Sequence, residues 1–305
     1  MLVRAGHLRT LARQVVRPAL CLVGLGALAA TLGAMDQAQR KEVEAWRAKH
    51  EASYLKEYVP LAGLFSLHPG ANTAGSAASN NIVLPKGLPA TIGRFILDDK
   101  AVRFEPQAGV TVLLKGKAVT AGVTLTSDEV TDPDELSIGA IALWLHLSGD
   151  RPTIRMRDPN GKMARAFKGF HWFPIDDTYR VTGRFIKDAA PRELRTPNQL
   201  GDEDTMKTEG VVEFTLAGQT VRLRPMTTRP KRLWFIFRDG TSGKETYETA
   251  RFLYADLQDD GTTVLDFNEA YNPPCAFNIY TTCPLPLQEN RLSVRILAGE
   301  RAYPH

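Results

Sequence analysis

The chain has 305 residues, of which 38 are Lys or Arg and 34 are Asp or Glu, giving a formal net charge of +4. Four arginines precede the first acidic residue, Asp36, so the rest of the chain balances at 34 basic against 34 acidic residues. A neutral remainder without a basic stripe argues against nucleic acid as a partner. The roughly 270 residues beyond the N-terminal segment suffice for two modest domains or one large one.

The first 35 residues have the pattern of an export leader. Their four arginines come before an uncharged stretch, residues 18–35, rich in Ala, Leu, Val and Gly. A basic region followed by an apolar one is typical of a signal peptide, whereas the full apolar stretch is at the short limit for a membrane helix. Residues 1–35 are therefore predicted to be a signal peptide or an anchor in the inner membrane, with an ordinary buried helix as the alternative. Either of the first two places the rest of the chain outside the cytoplasm, in the periplasm, secreted or anchored to the inner membrane.

Residues 36–60 are predicted to form a helix and its end. Gln, Glu, Lys, Arg and Ala dominate this segment, and Pro60 terminates it. The larger side chains that recur at helical spacing are Val43, Trp46, His50 and Tyr54. We expect Trp46 and Tyr54 to dock the helix on the body of the protein, and His50 to be packed rather than bound to a ligand.

Residues 61–150 are predicted to form a β-sandwich. From Leu61 onward, short runs rich in Val, Ile, Thr and Phe are separated by Gly, Asp, Asn and Pro. The runs that predict strands are Ile82–Leu84, Gly93–Leu97, Ala101–Phe104, Val110–Leu114, Val123–Leu125 and Ile141–Leu147. Their spacing of about ten residues is typical of a sandwich or a barrel.

One stretch of this block, Gly70-Ala-Asn-Thr-Ala-Gly-Ser-Ala-Ala-Ser-Asn-Asn-Ile-Val-Leu-Pro85, resembles the opening strand, loop and strand of forkhead-associated domains. Those domains carry a G-R-x-x-x-N-D-I-x-L pattern, and the resemblance implies a sandwich. Ser76 follows Gly75 where they have the arginine used on phosphopeptide, and no Ser-x-x-His follows. The resemblance therefore does not extend to phosphothreonine binding.

Residues 151–305 are predicted to form a second β-sandwich or a partly open β-barrel, with the boundary near Ser-Gly-Asp-Arg-Pro at 148–152. The predicted strands are Thr153–Arg157, Tyr179–Ile186, Val211–Leu216, Val221–Arg224, Leu233–Phe237, Ala250–Tyr254, Val264–Phe267 and Leu292–Leu297. The polar, Pro-bearing residues 188–209 are predicted to be a long exposed loop. The predicted fold class is thus mainly β, with an N-terminal helix.

Standard catalytic and cofactor-binding motifs are absent from the sequence. There is no G-x-S-x-G for an activated serine, no G-x-x-x-x-G-K-[ST] for a phosphate and no H-E-x-x-H for zinc. Six histidines scattered over the chain do not suggest a metal site. We therefore expect no metal and no cofactor, and whether the protein is an enzyme stays open.

A first group of candidate ligand-binding residues lies in Arg155-Met-Arg-Asp158 and at Trp172. Arg155 and Arg157 are two residues apart, so on a strand they point to the same face. Such a pair can clamp one anionic group, or it can form a structural network with carboxylates of the second block. Trp172 is expected in the core or in the wall of a pocket.

A second group of candidates lies near the C-terminus. Its members are Asp239, Thr246, Tyr247, Arg251, Asp266, Asn268, Tyr271 and Asn272. These side chains either brace their own turns, as Asn and Asp commonly do, or line the mouth of a pocket where Arg251 or Tyr247 orients a ligand. We expect them to form one connected site, approached by Arg155 and Asp158.

The order of these motifs resembles one protein family. The segments that carry the resemblance are Asp239-Gly-Thr-Ser-Gly-Lys-Glu-Thr-Tyr247, Leu265-Asp-Phe-Asn268, Tyr271-Asn-Pro-Pro-Cys275 and Cys283-Pro-Leu-Pro286. They are similar to the D-x-T-x-G-x-x-T-Y, D-F-N-x-A-Y-N-P-x-C-A-F and C-P-x-P-x-x-x-N series of the bacterial and archaeal "domain of unknown function 1684". The first candidate group resembles the family's R-x-R-D and F-x-G-x-x-W-F-P elements, whereas Thr249-Ala250-Arg251 departs from its small-Gly-Arg. That family has no established activity, so the resemblance implies no reaction.

Two cysteines, Cys275 and Cys283, follow the leader. In an oxidising compartment they are predicted to pair, and closing so short a loop restrains the unfolded chain by about 2–3 kcal/mol. Free structural or reactive thiols are one alternative, and a metal pair is another, although histidines are lacking nearby. The family's motif contains the same paired cysteines whatever the compartment, which also fits a local structural role or a role in a site.

Three functions are consistent with these observations. The first is an exported β-rich protein that binds a polar small molecule or an envelope component at the second candidate group. The second is a hydrolase that uses Asp239 or Asp266 as acid or base and Cys275 as nucleophile. The third is an interaction module that meets another envelope protein. The missing catalytic motifs favour the first and the third.

Overall fold

A computed structural model describes residues 36–304. The predicted leader, residues 1–35, lies outside the described residues, so its export role stays a prediction. Within residues 36–304, we find no helix whose length and apolar character would let it cross a bilayer.

The predicted N-terminal helix is present as α1 (Gln37–Glu57). Asp36 caps its first turn, because its carboxylate accepts a hydrogen bond from the amide of Gln39 at 2.8 Å and the Gln39 side chain accepts one from the amide of Asp36. His50 packs between Trp46 and Tyr54, with ring centroids 5.0 and 4.1 Å away. Burial lowers the pKa of His50 to about 4, so this histidine is a neutral part of the helix's docking face.

The chain after α1 is built almost entirely of strands. Those of the first half are β1 (Leu61–Ser66), β2 (Gly70–Gly75), β3 (Ile82–Val83), β4 (Gly93–Asp98), β5 (Ala101–Pro106), β6 (Leu113–Leu114), β7 (Lys117–Ala118), β8 (Val123–Thr124), β9 (Glu135–Ile138), β10 (Ile141–Ser148) and β11 (Arg151–Arg157). A short helix, α2 (Lys162–Ala166), follows. Those of the second half are β12 (Arg180–Pro197), β13 (Glu203–Leu216), β14 (Gln219–Leu223), β15 (Met226–Arg229), β16 (Arg232–Phe237), β17 (Arg251–Asp256) and β18 (Thr262–Asp266).

The first half is a sandwich of two sheets. One sheet has the order β1-β11-β10-β9-β6-β7 and the other β3-β2-β4-β5-β8. Side chains from both sheets, such as Phe95, Phe104, Leu136 and Ile154, share one buried core. Strand β11, which the sequence pattern assigned to the second block, pairs with β1 and β10 and so completes this sandwich. The more specific likeness to forkhead-associated domains stays a prediction.

The second half has two further sheets around a second core. Their orders are β14-β13-β12-β18 and β15-β16-β17. Val212, Leu223, Phe235, Leu253 and Leu265 from these strands meet in one buried cluster. The fold is therefore mainly β, as predicted, and all four sheets formed by residues 36–304 are open rather than closed into a barrel.

The prediction of a long loop at residues 188–209 is wrong. These residues belong to the β12–β13 hairpin, which extends to the pairing of Pro197 with Glu203. Much of this hairpin is exposed on both faces, so it lacks the apolar alternation by which strands are recognised. Its tip turns back onto the body, where the amide of Leu285 donates to the carbonyl of Pro197 at 3.0 Å.

The predicted strand Leu292–Leu297 is also absent, although its side chains alternate between buried and exposed. Its first residues bond to the chain just after β16, where the amide of Leu292 donates to the carbonyl of Arg238 and the carbonyl of Val294 accepts from the amide of Gly240. Its end bonds to a side chain instead. The carbonyls of Ile296 and Ala298 accept hydrogen bonds from the guanidinium of Arg251. The segment therefore lies extended over the second core without joining a sheet.

The remaining C-terminal chain has little regular structure and is held by side-chain amides. Short 3₁₀ helices lie at Phe267–Glu269, Pro274–Ala276 and Gln288–Asn290. The amide of Asn278 donates to the carbonyls of Tyr58 and Leu61, each at 2.9 Å. This contact attaches residues 273–286, which we call the C-terminal loop, to the end of α1 and the start of β1.

Candidate functional site

The predicted site residues fall into separate groups of contacts. The most deeply buried group is the ion pair of Asp239 and Arg251, whose side chains are both 0% exposed and lie 2.7 Å apart. The second carboxylate oxygen of Asp239 accepts hydrogen bonds from the amide and hydroxyl of Thr241. Thr246 joins this network through the Thr241 hydroxyl at 2.8 Å. The charges of Asp239 and Arg251 neutralise each other, and the hydrogen bonds brace the turn after β16. This group therefore has a structural role.

A second group joins Asp266 and Asn268 to the N-terminal helix. The side chain of Asn268 exchanges hydrogen bonds with the backbone of Asp176. The backbone carbonyl of Asn268 accepts two hydrogen bonds from Arg47. Asp266 forms an ion pair with Arg180 at 3.3 Å. The group borders a cavity of about 290 Å³.

Glu269 also faces that cavity, and the sequence reasoning missed it. Burial, and then the charge of Asp266, raise the pKa of Glu269 to about 7.

Two further predicted residues brace loops. Tyr247 accepts a hydrogen bond from the Gln199 side chain at 2.9 Å and donates to the carbonyl of Cys275 at 3.4 Å, so it ties the hairpin tip to the C-terminal loop. Asp158 accepts from the amide of Asn160 two residues later.

Asn272 and Trp172 surround a buried carboxyl. The amide of Asn272 donates to Glu300 at 2.8 Å, and its side chain donates to the carbonyl of Arg301. Trp172 forms an isolated bridge with Glu300 and donates its indole N–H to Glu51 at 2.6 Å. Complete burial raises the pKa of Glu300 to about 8 despite the hydrogen bonds from Asn272.

Cys275 and Cys283 form a disulfide in the structure, with their Cα atoms 6.3 Å apart. The bond closes a turn of the C-terminal loop, and the hydroxyl of Thr281 inside that turn donates to the sulfur of Cys275 and to the carbonyl of Asn278. While the bond is intact neither sulfur is a thiolate, so neither can act as a nucleophile.

The outer face of the first sandwich carries the remaining predicted pair, Arg155 and Arg157. Strands β10 and β11 turn Leu143, Leu145 and Ile154 inward to the core. Trp144 and His146 therefore lie on the outer face with the two arginines, because side chains alternate along a strand. Strand β10 is buried almost throughout because other parts of the chain also cover this outer face.

The two arginines differ in their surroundings. Arg157 pairs with Glu135 at 3.2 Å and stacks its guanidinium over the ring of Trp144. Arg155 is 9% exposed, and its Nη2 donates to His146 Nε2 at 2.7 Å and to the hydroxyl of Thr282 at 3.3 Å. Burial lowers the pKa of Arg155, and the charge of Asp128 only partly opposes this.

A cavity of about 250 Å³, which we call the Arg155 cavity, lies beside this residue. Its aromatic wall consists of Tyr54, Tyr58, Trp234, Phe252, Tyr254 and Tyr271. Its polar groups are His146, Arg155, Thr281 and Thr282, and the C-terminal loop adds Pro274, Cys283 and Pro284. A second cavity of about 190 Å³ also has Arg155 and Tyr58 in its lining.

The sequence reasoning missed the polar chain on which Arg155 sits. His146 donates from Nδ1 to Asp128 at 2.8 Å, and its Nε2 lies 3.1 Å from the hydroxyl of Thr282. Burial alone would raise the pKa of Asp128, but the hydrogen bond from His146 and the nearby charges outweigh it and lower that pKa. The only signal in the sequence was a histidine at a polar position of the otherwise apolar run Ile141–Leu147.

Metal ligands are not clustered in the part of the chain that the structure describes. No group of three or more His, Cys, Asp or Glu side chains among residues 36–304 is arranged to hold a metal ion. The Asp128–His146 pair has a hydroxyl and a guanidinium as its further neighbours, and the guanidinium is a cation that repels a metal.

Comparison with known proteins agrees with the motif analysis. Residues 165–301 match the family described as "Protein of unknown function (DUF1684)", so the resemblance inferred from the motifs is confirmed over this part of the chain. No curated protein matches the chain. Among solved structures, the chain is similar to an uncharacterised protein of Haloarcula marismortui determined by solution NMR, with 29% identity over 47% of this chain and 82% of that chain and a TM-score of 0.39.

Proposed function

We propose that the protein binds a small anionic molecule with an apolar or aromatic part in the Arg155 cavity. The observation that carries this proposal is a buried guanidinium, at the edge of an aromatic cavity, that makes no hydrogen bond to its counter-ion. Within residues 36–304, the single carboxylate in contact with Arg155 is that of Asp128, 3.8 Å from Nη1. That separation exceeds hydrogen-bonding distance.

A buried charge that lacks a close partner is costly for a folded protein. Arg251 illustrates the usual solution, since its guanidinium meets a carboxylate at 2.7 Å. Among the described residues, Arg155 has no carboxylate at that distance, since Asp128 is 3.8 Å from its Nη1. Asp128 is engaged elsewhere, because it accepts hydrogen bonds from both His146 and Trp144. An anionic group of a ligand would accept the hydrogen bonds that Arg155 does not make to Asp128.

The rest of the cavity suits a small ligand with a flat or apolar part. Six aromatic side chains form its wall, and aromatic rings offer a large contact area for such groups. Its volume of about 250 Å³ lies just below the usual range of ligand pockets. The proposed ligand is therefore a small carboxylate or phosphate rather than a polymer.

Titration with benzoate and with inorganic phosphate tests the proposal, because benzoate combines a carboxylate with a ring. Binding is measured by calorimetry and by the fluorescence of Trp234, which lies in the cavity wall. The variant Arg155→Met removes the guanidinium, and Arg155→Lys keeps the charge but loses the planar fork. We expect Arg155→Met to weaken binding by about 10- to 150-fold, the usual worth of a hydrogen bond to a charged group, and Arg155→Lys to weaken it less.

Arg157→Met is the matched control, because Arg157 lies two residues away on the same strand and does not line the Arg155 cavity. Its benzoate affinity is expected to equal that of the unmodified protein. Thermal melts confirm that each variant is folded. Equal affinities for the Arg155→Met and Arg157→Met variants, both folded, or no binding of either anion by the unmodified protein, would refute the proposal.

Action outside the cytoplasm is part of the same proposal. It is supported by the basic and apolar leader and by the Cys275–Cys283 disulfide, a bond typical of oxidising compartments. Fusion of residues 1–45 to a reporter that is active only in the periplasm is expected to give reporter activity. An inactive reporter, with the fusion protein retained in the cytoplasm, would contradict export.

A further inference from the structure

We propose that Thr282, His146 and Asp128 form a nucleophile, base and orienting carboxylate that hydrolyse small carboxylic esters in the Arg155 cavity. This inference rests on the proposed function, because Arg155 would hold the negative charge that ester hydrolysis creates. It differs from the hydrolase considered from the sequence, which used Asp239, Asp266 or Cys275. Asp239 is held in a buried ion pair, and Cys275 is bonded to Cys283 in the disulfide.

The geometry has the order that nucleophilic catalysis by a hydroxyl requires. Thr282 Oγ1 lies 3.1 Å from His146 Nε2, and His146 Nδ1 lies 2.8 Å from Asp128. Such a chain is recognised by its distances and roles, not by the fold or the order of the residues in the sequence. Here the three residues come from the segment before β9, from β10 and from the C-terminal loop.

The hydrogen bonds also indicate which nitrogen of His146 carries its proton. Asp128 accepts from Nδ1, so the proton lies there. Nε2 faces two donors, the hydroxyl of Thr282 and Nη2 of Arg155, and therefore presents its lone pair. A base for the Thr282 hydroxyl needs this tautomer.

The C-terminal loop presents the Thr282 hydroxyl to the cavity and gives its neighbour a different role. Thr281 uses its hydroxyl on the carbonyl of Asn278 and the sulfur of Cys275. The Thr282 hydroxyl faces Nε2 of His146 and accepts a hydrogen bond from Arg155, and both residues lie in the lining of the Arg155 cavity. The disulfide and the hairpin contact at Leu285 hold the loop in this position.

The chemical steps need no group beyond these residues and water. When the ester carbonyl approaches, Arg155 turns an N–H from Nε2 of His146 to the carbonyl oxygen, which frees the lone pair. Thr282 Oγ1 attacks the carbonyl carbon while His146 takes the hydroxyl proton, and the carbon–oxygen bond to the alcohol breaks as His146 returns that proton to the leaving alkoxide. Water then attacks the acyl-Thr282 ester with His146 as base, which releases the carboxylic acid and restores the hydroxyl.

Arg155 is placed to stabilise the charge of the tetrahedral intermediates. Its Nη2 lies 3.3 Å from Thr282 Oγ1, the atom that becomes bonded to the reacting carbon. An oxyanion on that carbon is therefore within reach of the guanidinium, and a positive charge in a water-poor site is most effective there. The carboxylate product bears the same kind of charge that the binding proposal assigns to the ligand.

The test is hydrolysis of p-nitrophenyl acetate by the full chain after its leader, with spontaneous hydrolysis subtracted. We expect turnover in the unmodified protein and a fall of about 100-fold or more in kcat/KM for Thr282→Val and for His146→Gln, the range of a lost acid–base or nucleophilic group. Thr282→Ser is the matched control, because it keeps the hydroxyl and is expected to retain activity. Mass spectrometry of the quenched reaction is expected to find the acetyl group on Thr282.

Asp128 is a positioning residue, because it acts through His146. Asp128→Asn is expected to lower kcat with little change in KM and to alter the pH profile of kcat, since an amide does not enforce the Nδ1–H tautomer. A purely structural role for Asp128 would change stability and leave the pH profile unaltered.

Benzoate titration separates this inference from the binding proposal. Thr282→Val keeps the Arg155 guanidinium, so it is expected to retain benzoate binding, weakened less than by Arg155→Met, while hydrolysis is lost. Benzoate binding without hydrolysis in the unmodified protein would overturn the esterase inference and leave the binding proposal intact. Hydrolysis that survives in folded Thr282→Val but not in His146→Gln would overturn the assignment of Thr282 as nucleophile.

Discussion

The Asp239–Arg251 pair offers a strong test of the structural reasoning. Both side chains are fully buried, and the carboxylate oxygen that meets Arg251 lies 2.7 Å from Nη1. The change Asp239→Asn keeps an oxygen for the two bonds from Thr241 but removes the charge that neutralises the guanidinium. We therefore expect it to lower the free energy of unfolding by about 3–5 kcal/mol, the usual cost of leaving one partner of a buried ion pair uncompensated.

Arg251→Met is expected to lower the free energy of unfolding by at least as much as Asp239→Asn does. It leaves the Asp239 charge buried and also removes the donor to the carbonyls of Ile296 and Ala298. Each buried carbonyl left without a donor adds about 1–3 kcal/mol. The double variant removes both charges together, so its cost is expected to be smaller than the sum of the two single costs by about 2 kcal/mol or more.

Equilibrium unfolding in urea, followed by circular dichroism, measures these free energies. Asp150→Asn is the control, because Asp150 pairs with Lys100 on the surface with a 97% exposed side chain, and such pairs contribute about 0–1 kcal/mol. If Asp239→Asn is no more destabilising than Asp150→Asn, or if the two single costs simply add in the double variant, the assignment of this pair as a buried structural network is wrong.

Three other predictions follow from named contacts. Glu300 has a pKa of about 8 in the folded protein against an ordinary value of 4.5, so its contribution to stability is complete below pH 4.5 and is lost as the pH rises toward 8. Relative to Glu300→Gln, the free energy of unfolding of the unmodified protein is expected to fall by up to about 5 kcal/mol across that window. Equal pH dependence of the two free energies of unfolding would contradict the burial of this carboxyl. Replacing both Cys275 and Cys283 by Ser is expected to lower the free energy of unfolding by about 2–3 kcal/mol, and two thiols alkylated in the unreduced, denatured protein would exclude the disulfide. Asp36→Ala removes the cap of α1 and is expected to lower the free energy of unfolding by about 1 kcal/mol, which a thermal melt detects as a lower midpoint. Asp36→Asn keeps a capping side chain and is expected to lower the midpoint much less.

The elements that the sequence predicted well are those specified by local patterns. The helix over residues 37–57 was visible from its composition, its apolar stripe and Pro60, and most strands from short β-branched runs between turn residues. The cysteine pairing was predicted from an oxidising compartment, with free thiols and a metal pair as alternatives, and the match over residues 165–301 from motifs that are themselves short segments. Such signals need no knowledge of what lies across the core.

Two elements were misassigned because their side-chain pattern does not reveal how their backbone is bonded. Residues 188–209 lack apolar alternation because the hairpin is exposed on both faces, so only the pairing of β12 with β13 makes them strands. Residues 292–297 have the alternation of a strand, but their backbone bonds to residues 238–240, beyond the end of β16, and at the carbonyl of Ile296 to the side chain of Arg251. In both cases the backbone bonding decided the structure and the apolar pattern did not report it.

The candidate site was also predicted in part from the sequence and in part missed. The sequence identified Arg155 as a ligand-binding candidate from its motif and its place on a strand. It did not identify Asp128, His146 or Thr282, because these residues are separated by up to 154 positions and meet only where the C-terminal loop covers the outer face of the first sandwich. Sequence patterns determine which side chains share one face of a strand, whereas the tertiary structure decides which distant segment covers that face and how closely each buried charge meets its partner.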